Sequence, residues 1–173
     1  MWLGDAVSTG IFKDPVHGSV RVAFLNLEGD RQADLTVHGG PNKAVYGYPS
    51  EHYEFWRAQR GRREVRWGAF GENLTTAGLL EDDVHVGDRY RIGSAALEVT
   101  QPRVPCFKLG IKFDDQRMPK QFLQSRRTGF YFKVLEEGEI AAGDKIERLA
   151  RGSISIADVL RAAYGAPPDP RSG

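Results

Sequence analysis

The 173 residues include one cysteine. The chain therefore cannot close an intramolecular disulfide, and it cannot build a four-thiolate zinc or iron–sulfur site from its own side chains. An excess of one charge is lacking too: 24 Lys and Arg oppose 23 Asp and Glu, for a net charge of +1. So balanced a chain has no general electrostatic footprint for nucleic acid, and any basic site must be local. No apolar run approaches the ~20 residues of a membrane helix. The opening Met1-Trp2-Leu3-Gly4-Asp5 lacks the charged and apolar regions of a signal peptide. A cytoplasmic location is expected, with neither membrane nor nucleic acid as partner. There is also no Walker loop, no G-x-G-x-x-G and no G-x-S-x-G elbow, which removes the common phosphate-loop, dinucleotide and serine-hydrolase readings.

What is present is a globular composition, 40% hydrophobic and 27% charged, of a length that suits one domain. Twenty Gly and nine Pro are spread along the chain, and such frequent turn signals favour short strands. Between Gly18 and Asp30, Val20, Val22 and Phe24 alternate with polar or small residues, which predicts one half-buried strand. Ala95–Thr100 and Phe130–Leu135 predict two more, with Phe130 and Phe132 facing away from Tyr131 and Lys133. Val84 to Tyr90 echoes Ile140 to Ile146, each with Gly-Asp in a turn, as at related corners of a barrel. Three short helices are expected. The first runs from a Ser50 cap to about Arg60 with Tyr53 and Trp56 on one face. The second runs from Pro119 to Arg127, ended by Gly129. The third is capped by Ser155 and Asp158, stapled by Ile154 and Val159, striped by Val159, Leu160 and Ala163, and stopped by Gly165. The fold expected is mainly β, a barrel over residues 1–150 with a few short helices, followed by a short helical appendage over 151–173.

Four segments carry residues suited to chemistry. Cys106 lies in Gln101-Pro102-Arg103-Val104-Pro105-Cys106-Phe107-Lys108-Leu109, a loop stiffened by two prolines. Arg103 and Lys108 put positive charge near a sulfur that can act as nucleophile or soft-metal ligand; a lone cysteine is equally a small buried hydrophobe. His38-Gly39-Gly40-Pro41 allows close backbone approach to a ligand, or is a tight turn with an incidental His; Asp34 can orient that imidazole or cap a turn. Trp67 to Thr76 presents Asn73 and two hydroxyls to a polar ring, or is a hairpin. Arg126-Arg127 suits a phosphate or carboxylate, or complements a helix C-terminus. Lys13 is a further loop cation.

Taken in order, Ser8 to Lys13, Gly29 to Leu35, Val37-His38-Gly39-Gly40, Gly68 to Thr76 and Gln101 to Leu109 resemble the MOSC family, named after the C-terminal domain of molybdenum cofactor sulfurases. The resemblance is closest to its stand-alone bacterial, YiiM-like branch. It implies a β-barrel that binds the molybdenum cofactor, a phosphorylated pterin whose dithiolene holds the metal. It implies that Cys106 ligates molybdenum. Lys13, Arg103, Lys108, Arg126 and Arg127 would serve the phosphate and pterin carbonyl. Asn73 and the His38-Gly39-Gly40 backbone, with Asp34 beside it, would read the pterin edge. Reductase members of the family remove oxygen from N-hydroxylated compounds such as hydroxylaminopurine, and others are discussed as sulfur carriers. The YiiM-like branch carries a three-helix C-terminal extension, of which only Ser153 to Gly165 has a counterpart here.

The expectation is a molybdenum-dependent reductase of N-hydroxylated bases, monomeric or homodimeric. The alternatives are a non-catalytic cofactor carrier and a sulfur carrier using a Cys106 persulfide. Reduction of N–OH consumes two electrons. One cysteine holds no cluster, and no dinucleotide fingerprint is present, so a separate redox partner must supply them. Cofactor-loaded protein should show no turnover with NADH or NADPH alone and should turn over once a cell extract or chemical reductant is added. Steady NADH-driven reduction by the pure protein, followed at 340 nm as loss of NADH, would mean that the chain has its own nicotinamide or flavin site.

Overall fold

The computed structural model describes residues 11–29, 40–61 and 65–167. In chain order it holds β1 (Ser19–Val22), a single 3-10 turn (Pro41–Lys43), β2 (Val45–Pro49), α1 (His52–Arg60), β3 (Leu74–Thr76), β4 (His85–Val86), β5 (Arg89–Ile92), β6 (Ala95–Pro102), α2 (Phe107–Phe113), α3 (Met118–Ser125), β7 (Phe130–Glu136), β8 (Gly138–Ala141), β9 (Ile146–Ala150), β10 (Ile154–Ser155) and α4 (Ile156–Tyr164). Six strands form the main sheet in the order β3-β2-β7-β6-β5-β9, while β1–β8 and β4–β10 form two small pairs. The β2–β3 pair is parallel and the other pairings are antiparallel. The main sheet curls into a half-barrel, so the fold is mainly β as expected. No helix among the described residues is long and apolar enough to cross a membrane.

The sheet has a core on each face. On one side Val45, Leu97, Val99, Phe130, Phe132 and Val134 pack with Ile156 and Leu160 of α4. On the other, Tyr46 and Tyr48 of β2 meet Tyr53 and Trp56 of α1, Phe70, Leu109 of α2, and Met118 and Phe122 of α3. This second core is aromatic: the Tyr48 and Phe70 rings lie 4.5 Å apart and the Phe70 and Phe122 rings 5.3 Å. Its hydroxyls are used. Trp56 donates to Tyr48 Oη at 2.8 Å, and Tyr48 and Tyr46 donate to the carbonyls of Arg127 and Thr128. Burial drives the Tyr46 and Tyr48 phenols well above their ordinary range, so they stay protonated donors. A strand covered on both faces carries no polar–apolar alternation, which is why Val45–Pro49 escaped the sequence reading.

The echoed segments are the same turn twice. Gly87 and Gly143 have φ of 89° and 93°, the positive value that the third residue of a type II turn requires. In each the following Asp takes the backbone N–H three residues back: His85 N to Asp88 Oδ2 at 3.0 Å, and Ala141 N to Asp144 Oδ2 at 2.8 Å. The turns lead into β5 and β9, which pair with each other.

Other expectations are corrected. The Gly18–Asp30 strand ends at Val22; residues 23–26 turn back, with Ala23 N donating to Asn26 O and Glu28 N to Arg21 O. Phe24 sits at that tip, 53% exposed. The Ser50 hydroxyl does not cap α1; it donates to Glu51, whose carboxylate takes the Gly78 N–H. Helix α3 spans Met118–Ser125 and closes through Arg126 in the left-handed region, not at Gly129. Ser155 caps α4 by accepting the Asp158 N–H. However, Ile154 pairs in β10 and is exposed, so there is no staple, and the buried stripe is Ile156 and Leu160, with Ala163 exposed. Burial of each of these two is worth roughly 2 kcal/mol, and such docking rather than propensity stabilises a helix this short. A fourth helix, α2, was not foreseen: it spans seven residues and has Gly110 at its centre.

Asp88 is buried and joins three parts of the chain. Its carboxylate accepts His85 N, Tyr90 Oη and Gly152 N, the last at 2.6 Å, and Arg148 stands 3.8 Å away. Burial alone would raise its pKa, but the backbone N–H groups, the phenol and the guanidinium outweigh it and hold the carboxyl below its usual range. Glu98, paired with Lys133 and Arg89, is also lowered against its burial. Asp115, bonded by Arg117 and Arg60, is lowered to about 2. Depressed carboxylates contribute stability that is present above the unfolded-chain value of about 4 and is lost as pH falls through the folded value. Thermal midpoints should therefore be flat above about pH 5 and fall steeply from pH 4 toward 2. Asp88→Asn, which sets an amide N–H against donors, should cost about 2–3 kcal/mol at neutral pH by urea unfolding and should make the acid limb shallower. An unchanged acid limb would remove Asp88 from this role.

Candidate functional site

The Cys106 loop, the Gly68–Thr75 segment and the Gly40 turn come together where β6 ends. Residue Thr100 is an extra residue on β6, since Val99 pairs with Phe132 and Gln101 with Tyr131. Such bulges re-aim the chain at sites. The Thr100 hydroxyl donates to Asn42 O at 2.6 Å, which lays the Gly40–Lys43 turn against this end of the sheet; Gly40 itself has φ of 91°. Pro102 is the last ladder residue, opposite Phe130. Pro105 follows, and Cys106 then stands in extended conformation (φ −117°, ψ 176°) as the residue preceding α2. Its thiol is free and half-buried. It sits at the positive end of α2.

Arg103 supplies the fixed charge of the site. It is buried, its guanidinium lies 4.4 Å from the Tyr46 ring centre, and it donates to Phe70 O. Burial acts to lower its pKa, yet the net shift is upward, because Tyr46, Tyr131 and Cys106 all favour the cation. Tyr131 belongs to the same group. Its ring lies 5.3 Å from that of Tyr46, and burial, opposed by Arg103 and aided by Cys106, holds its phenol protonated. Tyr131 was read from the sequence only as the strand face opposite Phe130. Its position two residues after Gly129, in the strand that pairs with the Cys106 loop's own strand, was the available signal.

The Gly68–Thr75 segment is held by Glu72. This buried carboxylate accepts Gly68 N at 2.8 Å, Phe70 N at 3.1 Å and the hydroxyls of Tyr53 and Thr75. Asn73 accepts Tyr46 N through Oδ1 and donates its own N–H to Tyr46 O, both at 2.8 Å. Its amide thus splices this segment to β2. A Cβ on Gly68 would come 2.8 Å from Lys13 O, and one on Gly71 2.8 Å from Ile11, so the Ile11–Lys13 arm can lie directly on the glycines. Lys112 of α2 completes the junction, donating to Ile11 O and Gly68 O.

Of the residues proposed from sequence, Arg103 and Cys106 lie in the β6–α2 turn and Lys108 in the first turn of α2. Gly40, Asn73 and Lys13 reach the same end of the sheet through Thr100, Tyr46 and Lys112. Asp34, His38 and Gly39 lie outside the described residues. Arg126 and Arg127 stand apart. Together with Glu51, Phe55, Glu81 and Arg161 they line a separate cleft of about 530 Å³, which Cys106 does not line. Arg126 donates to the carbonyls of Leu123, Tyr164 and Gly165, tying α3 to the end of α4. Arg127 lies 4.1 Å over the Phe55 ring. The cleft also holds a buried His52–Glu81 pair, 2.7 Å apart.

These placements separate two kinds of arginine. Arg126→Ala should lower the unfolding free energy by about 1–2 kcal/mol through loss of the α4 anchor. Arg103→Ala should cost about 3 kcal/mol or more, because it leaves a cavity and an unpaired Phe70 carbonyl. Urea unfolding of both variants checks the ranking, and equal costs would contradict the anchoring role given to Arg103.

The MOSC domain model matches residues 34–147. The Bacillus subtilis (strain 168) protein YflK is 48% identical over 153 residues, 88% of this chain and 69% of that protein. The Escherichia coli (strain K12) protein YiiM is 36% identical over 164 residues, 93% of this chain and 73% of that protein. The crystal structure of YiiM from Escherichia coli superposes with a TM-score of 0.78, covering 94% of this chain and 77% of the other at 33% identity. A protein named "Reductase" from Gibberella moniliformis is 37% identical over 152 residues, 86% of this chain but 27% of that protein.

Proposed function

The chain belongs to the MOSC domain family, and on that footing we propose that it binds the molybdenum cofactor through Cys106 and reduces N-hydroxylated bases and related N-oxygenated compounds. The observation that carries this reading is the half-buried Cys106 thiol at a helix start, beside the fixed charge of Arg103.

The donor set fits the group. Among the described residues no cluster of three or more His, Cys, Asp or Glu side chains could hold a metal ion. A lone thiolate suits a soft metal whose other ligands arrive with it, as on a pterin dithiolene. Cys106 would hold the metal, and Lys13, Lys108 and Arg103 are the cations for the phosphate and the pterin carbonyl. Asn73 and the Gly40 turn would line the pterin edge. Asp34, His38 and Gly39 complete that proposal. Arg126 and Arg127 enter it only as a second anion site. The bound cofactor supplies the two-electron chemistry.

The overall change is N–OH + 2 e⁻ + 2 H⁺ → N–H + H₂O. Arg103, rigid on Tyr46, balances negative charge gathered at the sulfur without any reorganisation. Tyr131 keeps a phenolic proton beside the same group, ready for the departing oxygen. The name of the fungal relative supports turnover rather than storage. The match spans only about a quarter of that protein, and for this chain the electrons come from a separate donor protein.

Cys106→Ser, expressed in a host that makes the cofactor, should keep its thermal midpoint and lose molybdenum by mass spectrometry together with benzamidoxime reduction by an artificial donor. A hydroxyl is a harder ligand that stays protonated. Full metal and full turnover in the Ser variant would overturn the ligand assignment. Wild-type protein with metal but no turnover would favour a cofactor carrier, and a Cys106 persulfide without metal would favour a sulfur carrier.

A further inference from the structure

Around Cys106 the surface is unusually apolar. Ten large apolar side chains among the described residues are exposed, and five of them, Phe12, Val16, Trp67, Val104 and Phe107, come from the three segments that meet at this junction. The three aromatics are 50–59% exposed. They are interleaved with cations. Lys112 Nζ lies 4.6 Å from the Phe12 ring centre and bonds to Gly68 O, next to Trp67. Lys108 is one helical turn from Lys112 on α2, and Arg66 is exposed beside Trp67. Burial lowers the Lys112 pKa, while Glu72 and then Asp14 stand close enough to favour its charged form. The charge is local. Residues 101–113, from the end of β6 through α2, hold Arg103, Lys108 and Lys112 and no Asp or Glu, in a chain whose net charge is +1.

We propose that this face, running from Trp67 and Phe12 across α2 to Phe107, is the docking surface for an acidic electron-carrier protein. The inference rests on the reductase reading and names the partner of that same site. Electrons must reach the Cys106 end of the sheet from outside, and transfer weakens steeply with distance, so the donor must sit on the rim of that end. Apolar contact area with a surrounding ring of one charge is the composition of a transient, electrostatically steered interface. A carrier with carboxylates around its redox centre complements it. Two one-electron deliveries complete each N–OH reduction, with two protons taken up and water released.

The test uses holo-protein, benzamidoxime, and a purified acidic bacterial flavodoxin kept reduced by NADPH and its reductase. The variant Arg66→Glu/Trp67→Glu is compared with wild type, since neither residue serves the cofactor. It should raise the KM for flavodoxin at least about tenfold while leaving the rate with reduced methyl viologen unchanged. Salt near 0.3 M should weaken the wild-type reaction in the same direction. Unchanged KM for flavodoxin would overturn the surface, and so would an equal loss with both donors, which would place the patch inside the substrate pocket. If the wild type reduces nothing even with viologen, the reductase reading itself fails. Calorimetric titration with flavodoxin then decides the surface separately: salt-sensitive binding lost in the variant retains it, and no binding ends it.

Discussion

A buried guanidinium organises this protein. Among the described residues no carboxylate pairs with Arg103; it is held instead by the Tyr46 ring face and the Phe70 carbonyl. A cation taken out of water without a counter-ion is costly unless its surroundings are arranged for it. Three elements must therefore be in place at once: β2 for the ring, the Gly68–Thr75 segment for the carbonyl, and the end of β6 for the arginine itself. The same placement leaves a positive charge of fixed position beside the Cys106 sulfur. Structure and candidate chemistry depend on one interaction.

Buried carboxylates do the corresponding work elsewhere. Glu72 gathers two N–H groups and two hydroxyls in the Gly68–Thr75 segment, and Asp88 gathers two N–H groups and a phenol where β4, β5 and the approach to β10 cross. Short strands and irregular turns leave many backbone donors without ladder partners. A carboxylate with several lone pairs satisfies more of them in one place than any neutral side chain. Two carboxylates thereby fix loop conformations in a mainly β fold whose strands run from two to eight residues.

The sheet also divides labour between its faces. One core, closed by α4, is aliphatic and aromatic and carries no candidate chemistry. The other, aromatic and hydroxyl-bearing, backs the Cys106 loop. Arg126 and Arg127 belong to neither: the first closes two helix ends and the second lines the cleft with the His52–Glu81 pair. Family membership and a mainly β architecture follow from the matches and the topology together.

Much was legible in the chain before folding. The stiff Gln101–Leu109 loop with its cysteine and cations, the twin Gly-Asp turns, the Phe130/Phe132 face and the Ser155 cap are all local: each is decided by residues within a few positions of one another, through proline geometry, positive φ, period-two alternation and a hydroxyl three residues from an N–H. What the tertiary structure decided involves partners distant in sequence. The fully buried strand Val45–Pro49 shows no alternation because both its faces are covered. Phe24, patterned like a core residue, is exposed at a turn because the chain reverses after Val22. Arg126 and Arg127, adjacent to each other and suited to an anion, were drawn instead to helix-end carbonyls and an aromatic ring. Tyr131 gained its place beside Cys106 only through strand pairing. Local sequence specifies conformation because backbone sterics and short hydrogen bonds act over a few residues; which charge meets which partner is settled only when burial makes an unpaired group too costly to leave.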